Sequence, residues 1–373
     1  MSPTSGMKLS PEERLLLDLL RSVLHHQPSG SSCPGPDLVN WDKFLPLARY
    51  HRLAPLLLQG LKGEAYDLLP ANVVDALRTQ ALEGKARSLL LLEGLRDVAR
   101  EFHHIGIPFI VLKGITLAKD LYPDDLLRPY VDVDILIRRS SYEQVKSVLG
   151  GIGYDLAEPR LERDKLAHFG EVEFVRRVGP PILLDLHWDT VLASWEPHSL
   201  LASEETWQRC RDFDLGGFSI AVLAPEELLV YLALHLAFHH VFSGLLFFCD
   251  LFLFLQKYGN QLDWQRVYSQ ATRFGGRRAL EDTLAFANVL LDASVPASIL
   301  RQIEAASLHR GLFPVRRLLL GAGPPSQGIE RYVKFLLIDD MSRRARALRT
   351  WWASHKRFIG VGKTTSRSKR SSV

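Results

Sequence analysis

Apolar residues recur at helical spacing over residues 9–25, where Leu15, Leu16, Leu19, Leu20 and Leu24 predict one amphipathic helix. A Pro/Gly/Ser-rich stretch over residues 27–36 ends it. Trp41, Phe44, Leu45, Leu47 and Ala48, then Leu53, Leu56, Leu57 and Leu58, predict two short helices parted near His51. Residues 72–102 read as a long helix holding Leu77, Leu82, Leu89, Leu92 and Leu95, with Gly106-Ile107-Pro108 as its stop. The first hundred residues are therefore expected to be all-helical.

The period changes after Pro108. Phe109-Ile110-Val111-Leu112 predicts a short strand, closed by Lys113-Gly114 and followed by a short helix to Tyr122. Residues 131–137 predict a second strand, and Ser140 with Glu143 predicts a capping box for a helix reaching Gly150-Gly151. Residues 171–178 and 182–188 flank Gly179-Pro180-Pro181 as a hairpin, so the sheet has at least four strands. Helical patterning returns at Pro225 and runs to about Trp352, broken near Gly259, Gly275-Gly276, Pro296 and residues 321–325. No internal repeat is present. The expected organisation is α+β: an N-terminal helical region (1–104), an α/β core (105–224), a C-terminal helical domain (225–355) and a basic disordered tail (356–373).

Composition changes this picture little. In 373 residues, 47% hydrophobic and 24% charged content is ordinary for a globular chain and excludes a collagenous or wholly disordered one. The charge of +4 is unevenly placed: residues 341–373 hold ten Lys or Arg and no acidic residue, which leaves the first 340 at −6. The basic character thus belongs to the tail, where a solvated segment is the simplest reading and no specific nucleic-acid partner is expected. Cys33, Cys210 and Cys249 are odd in number and form no metal-binding pair, which points to a reducing compartment. With no secretion signal expected at the N-terminus, a cytoplasmic location follows.

Residues 228–255 are long and apolar enough to test as a membrane span, with Asp250 as their only formal charge. His235, His239, His240 and Ser243-Gly244 interrupt them, and an aspartate in a membrane helix costs ~3 kcal/mol. Two helices of a soluble core, and no transmembrane segment, are expected.

Candidate chemistry begins at Asp132-Val133-Asp134. On a strand, residues i and i+2 share a face, so both carboxylates project together, and a divalent cation relieves their repulsion. Asp185, in Leu184-Asp185-Leu186-His187, is a third carboxylate on a neighbouring strand. Three carboxylates on one sheet can hold the metal pair used in phosphoryl or nucleotidyl transfer. A lone Asp-x-Asp, by contrast, reads more simply as a solvated strand end. Lys113-Gly114 adds weight, because a glycine there lets backbone N–H groups approach a phosphate ahead of a helix N-terminus. Lys113 and Arg128 would supply positive charge; taken singly, both read as surface residues and Gly114 as a turn glycine.

The run Val111-Leu112-Lys113-Gly114, Leu121-Tyr122-Pro123, Arg128-Pro129 and Asp132-Val133-Asp134-Ile135-Leu136-Ile137 resembles the uncharacterised nucleotidyltransferase family of the polymerase-β-like superfamily. Residues 41–58, the Asp185-Leu186-His187-Trp188 strand and the histidine-bearing helices of 232–250 extend the resemblance over about residues 10 to 300. It implies a small mixed sheet and transfer of a nucleoside monophosphate from an NTP to an acceptor, with release of pyrophosphate. By position, Asp132 and Asp134 would be paired ligands of Mg²⁺ or Mn²⁺, and Asp185 the carboxylate that helps activate the acceptor. Lys113-Gly114 stands where the wider superfamily has Gly-Ser, and Val131 where a smaller residue is common. The acceptor, whether protein, peptide, sugar or small molecule, is unspecified. The alternative is a noncatalytic nucleotide-binding regulatory module of the same fold; a membrane-associated scaffold is a third reading.

Other marks carry less. His187, two residues from Asp185, shares its face and either reaches substrate, orients a ligand or packs beside Trp188. His235 and His239 have the i, i+4 spacing of a zinc-binding helix, but no Glu follows His235 and no third ligand is evident, so lining of a polar pocket or a place in the core is the preferred reading. Gly360-Val361-Gly362-Lys363-Thr364 lacks the earlier glycine of a nucleotide-binding loop. Kinase and deaminase signatures are likewise incomplete.

Overall fold

The computed structural model describes residues 9–26, 34–61, 69–189, 200–306, 315–339 and 344. The basic tail, the Gly360–Thr365 run and Cys33 lie outside them.

Ser10 and Glu13 close a reciprocal capping box ahead of Pro11, which starts α1 (Pro11–His25) and turns its leucine stripe inward. Then come α2 (Trp41–Tyr50), α3 (Ala54–Gly60) and the 34-residue α4 (Ala71–His104). The sheet segment follows as β1 (Phe109–Val111), α5 (Ile115–Leu121), β2 (Val133–Ile137), α6 (Tyr142–Gly151), β3 (Tyr154–Leu156), α7 (Glu162–His168), β4 (Glu171–Arg176), β5 (Ile182–His187), α8 (Glu204–Gln208), β6 (Arg211–Asp214) and β7 (Ser219–Val222). After it lie α9 (Pro225–Leu234), a π-helical turn (His235–His239), α10 (Leu245–Tyr258), α11 (Trp264–Arg273), α12 (Arg277–Leu291), α13 (Ala297–Ala306), α14 (Val315–Leu320) and α15 (Gln327–Leu337).

The seven strands form one mixed sheet in the order β3-β4-β5-β2-β1-β7-β6, in which β2 pairs parallel with β5 and antiparallel with β1. The predicted strands are present, and three short ones, β3, β6 and β7, join them. Their brevity and the half-exposed polar pattern of β6 leave almost no periodicity to read. The capping box expected at Ser140 is absent: a 3₁₀ turn over Arg139–Ser141 takes up Ser140, and α6 opens after Ser141 with no side-chain cap. Residues 228–255 fold as two buried helices joined by the π turn, and no helix among the described residues is long and apolar enough to cross a membrane.

Strand alternation sends Phe109, Val111, Val133, Ile135, Leu184 and Leu186 into one core with the C-terminal half of α4 and with α6. Ile110, Leu112 and Leu136 face the other side, where α1 to α3, the first half of α4 and α9 to α15 share a second core. The N-terminal and C-terminal helices are thus one layer on one face of the sheet. That face also carries the even-numbered residues of β2.

Candidate active site

Asp134 on β2 and Asp185 on β5 are register partners across a parallel pair, and alternation turns both toward the helical layer. One oxygen of Asp134, one of Asp185 and a ring nitrogen of His187 lie within 4.8 Å of one another. Asp132, just before β2, joins them through Lys113, whose Nζ is 2.6 Å from Asp134 Oδ2 and 4.0 Å from Asp132 Oδ1. The structure therefore brings the three predicted carboxylates, Lys113 and His187 into one group.

Electrostatics divide that group. Burial and the neighbouring charge of Asp134 push Asp185 up to about 7. Asp134 is buried too, yet the Lys113 ammonium and the His187 ring hold it well below the usual carboxylate range. His187 bridges Asp134 (3.2 Å) and Glu171 (3.1 Å); against its own burial, those two acceptors raise it to about 10. Glu171 is the register partner of His187 on β4. His187 thus links the carboxylates of Asp134 and Glu171.

Gly114 and Arg128 build the turn beneath. Gly114 has φ of 72°, which favours glycine, while an added Cβ would make only ordinary contacts, 3.6 Å from Tyr130 and 3.7 Å from the Asp132 carbonyl. Arg128 departs from the expectation that it meets a triphosphate. Its side chain is 3% exposed and forks onto Asp250, with Nε and Nη2 each donating at 2.7 Å, while Nη1 donates to the Gly114 carbonyl at 3.3 Å. Tyr122 donates to the same carboxylate at 2.7 Å. The only formal charge in the apolar 228–255 run is therefore half of a buried ion pair that anchors the Gly114 turn to α10. On the other side, α4 seats residues 128–131: Tyr130 Oη donates to the Ser88 carbonyl at 2.8 Å, and Arg87 donates to the Val131 carbonyl at 2.9 Å.

The helical layer supplies groups that the sequence reading missed. Tyr231 of α9 is buried, and its hydroxyl has no hydrogen-bond partner among the described residues. Burial, then the charges of Asp134, Glu171, Asp132 and Asp185, raise its pKa, which places the phenol opposite the carboxylates. Arg52, between α2 and α3, has φ of 58°, strained for a residue with a Cβ, and its guanidinium lies 5.1 Å from the Phe247 ring centre. Burial and the Arg128 charge lower its pKa while Asp132 acts to raise it, and it makes no ion pair or side-chain hydrogen bond with a described residue. Burial also holds His235 and His240 well below the ordinary imidazole value, and His239 below it. The charges that bear on these rings include Lys113 and His187, so the turn that carries them faces the carboxylate group. A cavity of about 670 Å³ lined by His103, Phe109, Trp207, Cys210 and Phe218 touches none of these residues.

The donor set fits a divalent cation. Asp134 is paired with Lys113, but Asp185, pushed up to about 7 by burial and then by the Asp134 charge, has no ion pair with a described residue, and hard oxygens on one sheet face suit Mg²⁺ or Mn²⁺. A family model described as an uncharacterised nucleotidyltransferase matches residues 37–292, a span that holds every residue of this site. No curated protein matches the chain.

Proposed function

Since the chain belongs to the uncharacterised nucleotidyltransferase family, we propose that it moves a nucleoside monophosphate from an NTP to an acceptor and releases pyrophosphate. The observation that carries this is the Asp134–Asp185 register pair, with Asp132 on the same side and Asp185 held near 7. Asp132, Asp134 and Asp185 would hold Mg²⁺ or Mn²⁺, which supplies charge neutralisation at the phosphates.

The chain's own groups do the rest. Arg52, which rests on the Phe247 ring and makes no ion pair with a described residue, takes the phosphate-binding part expected of Arg128; Arg128 holds the Gly114 turn in place. Gly114 lets the backbone approach the nucleotide, and Lys113 balances Asp132 and Asp134. His187, fixed by Glu171, keeps Asp134 in one orientation. Asp185 accepts the proton of the acceptor hydroxyl as its oxygen bonds to the α-phosphorus. The bond from that phosphorus to the pyrophosphate oxygen breaks, and the electron pair leaves with pyrophosphate. The unpaired Cys210 and Cys249 fit a cytoplasmic setting.

One observation favours the noncatalytic nucleotide-binding alternative: Lys113 already neutralises Asp134 at 2.6 Å. Incubation with each α-labelled NTP and Mg²⁺, with and without cell extract, separates the two. Label transfer and pyrophosphate release, lost in Asp132→Ala/Asp134→Ala, support the transferase; NTP binding with no release under any condition refutes it.

A further inference from the structure

The π turn after α9 brings a third histidine to the pair that is visible at i, i+4. Its defining bond, from the His240 N–H to the His235 carbonyl at 3.2 Å, spans five residues, so one turn takes up an extra residue and both His239 and His240 lie over His235. The ring centres of the three pairs are 4.7 to 4.9 Å apart, and one ring nitrogen from each lies within 4.8 Å of the other two. Phe247 stacks on His240 at 4.3 Å and Tyr231 packs on His235, which fixes the ring planes. None of these imidazole nitrogens hydrogen-bonds to a described residue, although His235 is only 6% exposed. Three clustered imidazoles, one buried, one half-buried and one exposed, leave their nitrogens without a partner among the described residues and open to a ligand.

The backbone holds this cluster at a cost. Val241 and Phe242, both buried, follow it with φ of 51° and 59°, a left-handed pair that is rare for a β-branched and an aromatic residue. Two bonds clamp the segment to the N-terminal helices: Tyr50 Oη with Ser243 Oγ at 2.8 Å, and the Leu245 N–H to His51 Nδ1 at 3.1 Å.

We propose that His235, His239 and His240 form a three-nitrogen site for a late first-row transition ion, Zn²⁺ by its donor set. Imidazole suits Zn²⁺, while Mg²⁺ and Mn²⁺ take the oxygens of Asp132, Asp134 and Asp185. His239 is the exposed member, so the fourth position opens outward, as in a zinc site that keeps a water or a substrate atom. The proposal stands independently of nucleotidyl transfer.

The test is Co²⁺ binding to the chelator-stripped full chain without nucleotide, followed by visible ligand-field absorption and by Zn²⁺ competition. We expect the absorption of a four-coordinate nitrogen-rich site, displaced by Zn²⁺. His239→Gln and His240→Gln each weaken Co²⁺ binding at least about 100-fold, the upper range for loss of a mere supporting group. Both positions are accessible, and metal-free melting curves confirm the fold. Asp132→Asn/Asp134→Asn keeps the absorption. Absence of Co²⁺ binding, persistence of the absorption in both histidine variants, or its loss in the aspartate variant overturns the proposal. So does inorganic triphosphate binding that depends on His239 and His240 in a chain that takes up no Co²⁺, which makes the cluster an anion site.

Discussion

Asp250→Asn tests whether Arg128 is a structural group or a substrate ligand. The wild-type carboxylate accepts three hydrogen bonds, two from Arg128 and one from Tyr122, all at 2.7 Å, and the Arg128 and Asp250 side chains are 3% and 2% exposed. Asparagine keeps the shape, removes the charge and turns an amide N–H₂ toward the donors. Leaving a desolvated guanidinium without its counter-charge costs about 3–5 kcal/mol. In urea that is a fall of about 1–2 M in the midpoint for a slope near 3 kcal/mol per M. Arg128→Met strands Asp250 instead and costs a similar amount. If the pair serves only the fold, Tyr122→Phe/Arg128→Met/Asp250→Leu removes every unmatched polar group together and regains most of the loss.

The same proteins are then tested for NTP binding by calorimetry. The triple variant should bind NTP within about tenfold of wild type, since the Arg128 bond to the Gly114 carbonyl is long, at 3.3 Å, and a factor of ten is about 1.4 kcal/mol. The reasoning is refuted if Arg128→Met unfolds at the wild-type midpoint yet no longer binds NTP, for then the guanidinium belongs to the substrate and its pairing with Asp250 is incidental.

Arg52→Gly should remove about 1–2 kcal/mol of left-handed strain, raising the unfolding midpoint, while NTP affinity drops about 10–100-fold through loss of a charged contact. Asp185→Asn should lower kcat by about 10²–10⁴ in single-turnover assays and leave the fold intact. Because Asp185 titrates near 7, Mn²⁺ affinity should rise as pH climbs toward 7 and level off above it, with proton uptake by buffer detectable by calorimetry below that point. Its raised value also means that the metal-free chain gains stability from the protonated carboxyl at low pH and loses it as pH rises from about 4 through 7. His187 works over another window: its pairing with Asp134 and Glu171 is fully stabilising below about 6.5 and is lost as pH rises through about 10, so the alkaline slope of the wild type should flatten in His187→Gln.

Strand periodicity exposed the carboxylates. Asp132 and Asp134 share a face by the period of two, Asp185 stands in an apolar run read as a neighbouring strand, and the family resemblance grouped the three; the parallel β2–β5 register brings Asp134 and Asp185 together. Glu171 was open to the same reasoning, since pairing the two arms of the predicted hairpin sets it opposite His187. A positive residue beside an acidic motif reads as a phosphate ligand until its counter-charge is known, and Arg128 forks onto Asp250. The signal was Asp250, a lone carboxylate in an apolar run that needs a buried cation as its partner. Arg52, Tyr231 and His240 were illegible for a different reason. Their distance along the chain hides the approach to β2, and the extra residue in the π turn breaks the very spacing from which a helical ligand set is read.

How the site is assembled explains why so much helix surrounds so small a sheet. Arg52 arrives from the N-terminal helices, the carboxylates from β2 and β5, and Tyr231 with the histidines from α9 and the π turn. The helical sources share one apolar core with Leu136 of β2, while β5 packs into the core on the opposite face, so packing on both sides of the sheet fixes the positions of the opposing charged groups. Asp250 adds a direct link: its pairing with Arg128 joins α10 to the turn that presents Lys113 and Gly114. Residues 105–224 alone would keep Asp132, Asp134 and Asp185 but lack Arg52 and Tyr231. They would also expose Ile110, Leu112 and Leu136, residues buried to 1% or less in the assembled chain. The helices are therefore one wall of the candidate site, and the buried ion pair ties α10 to the turn at Gly114.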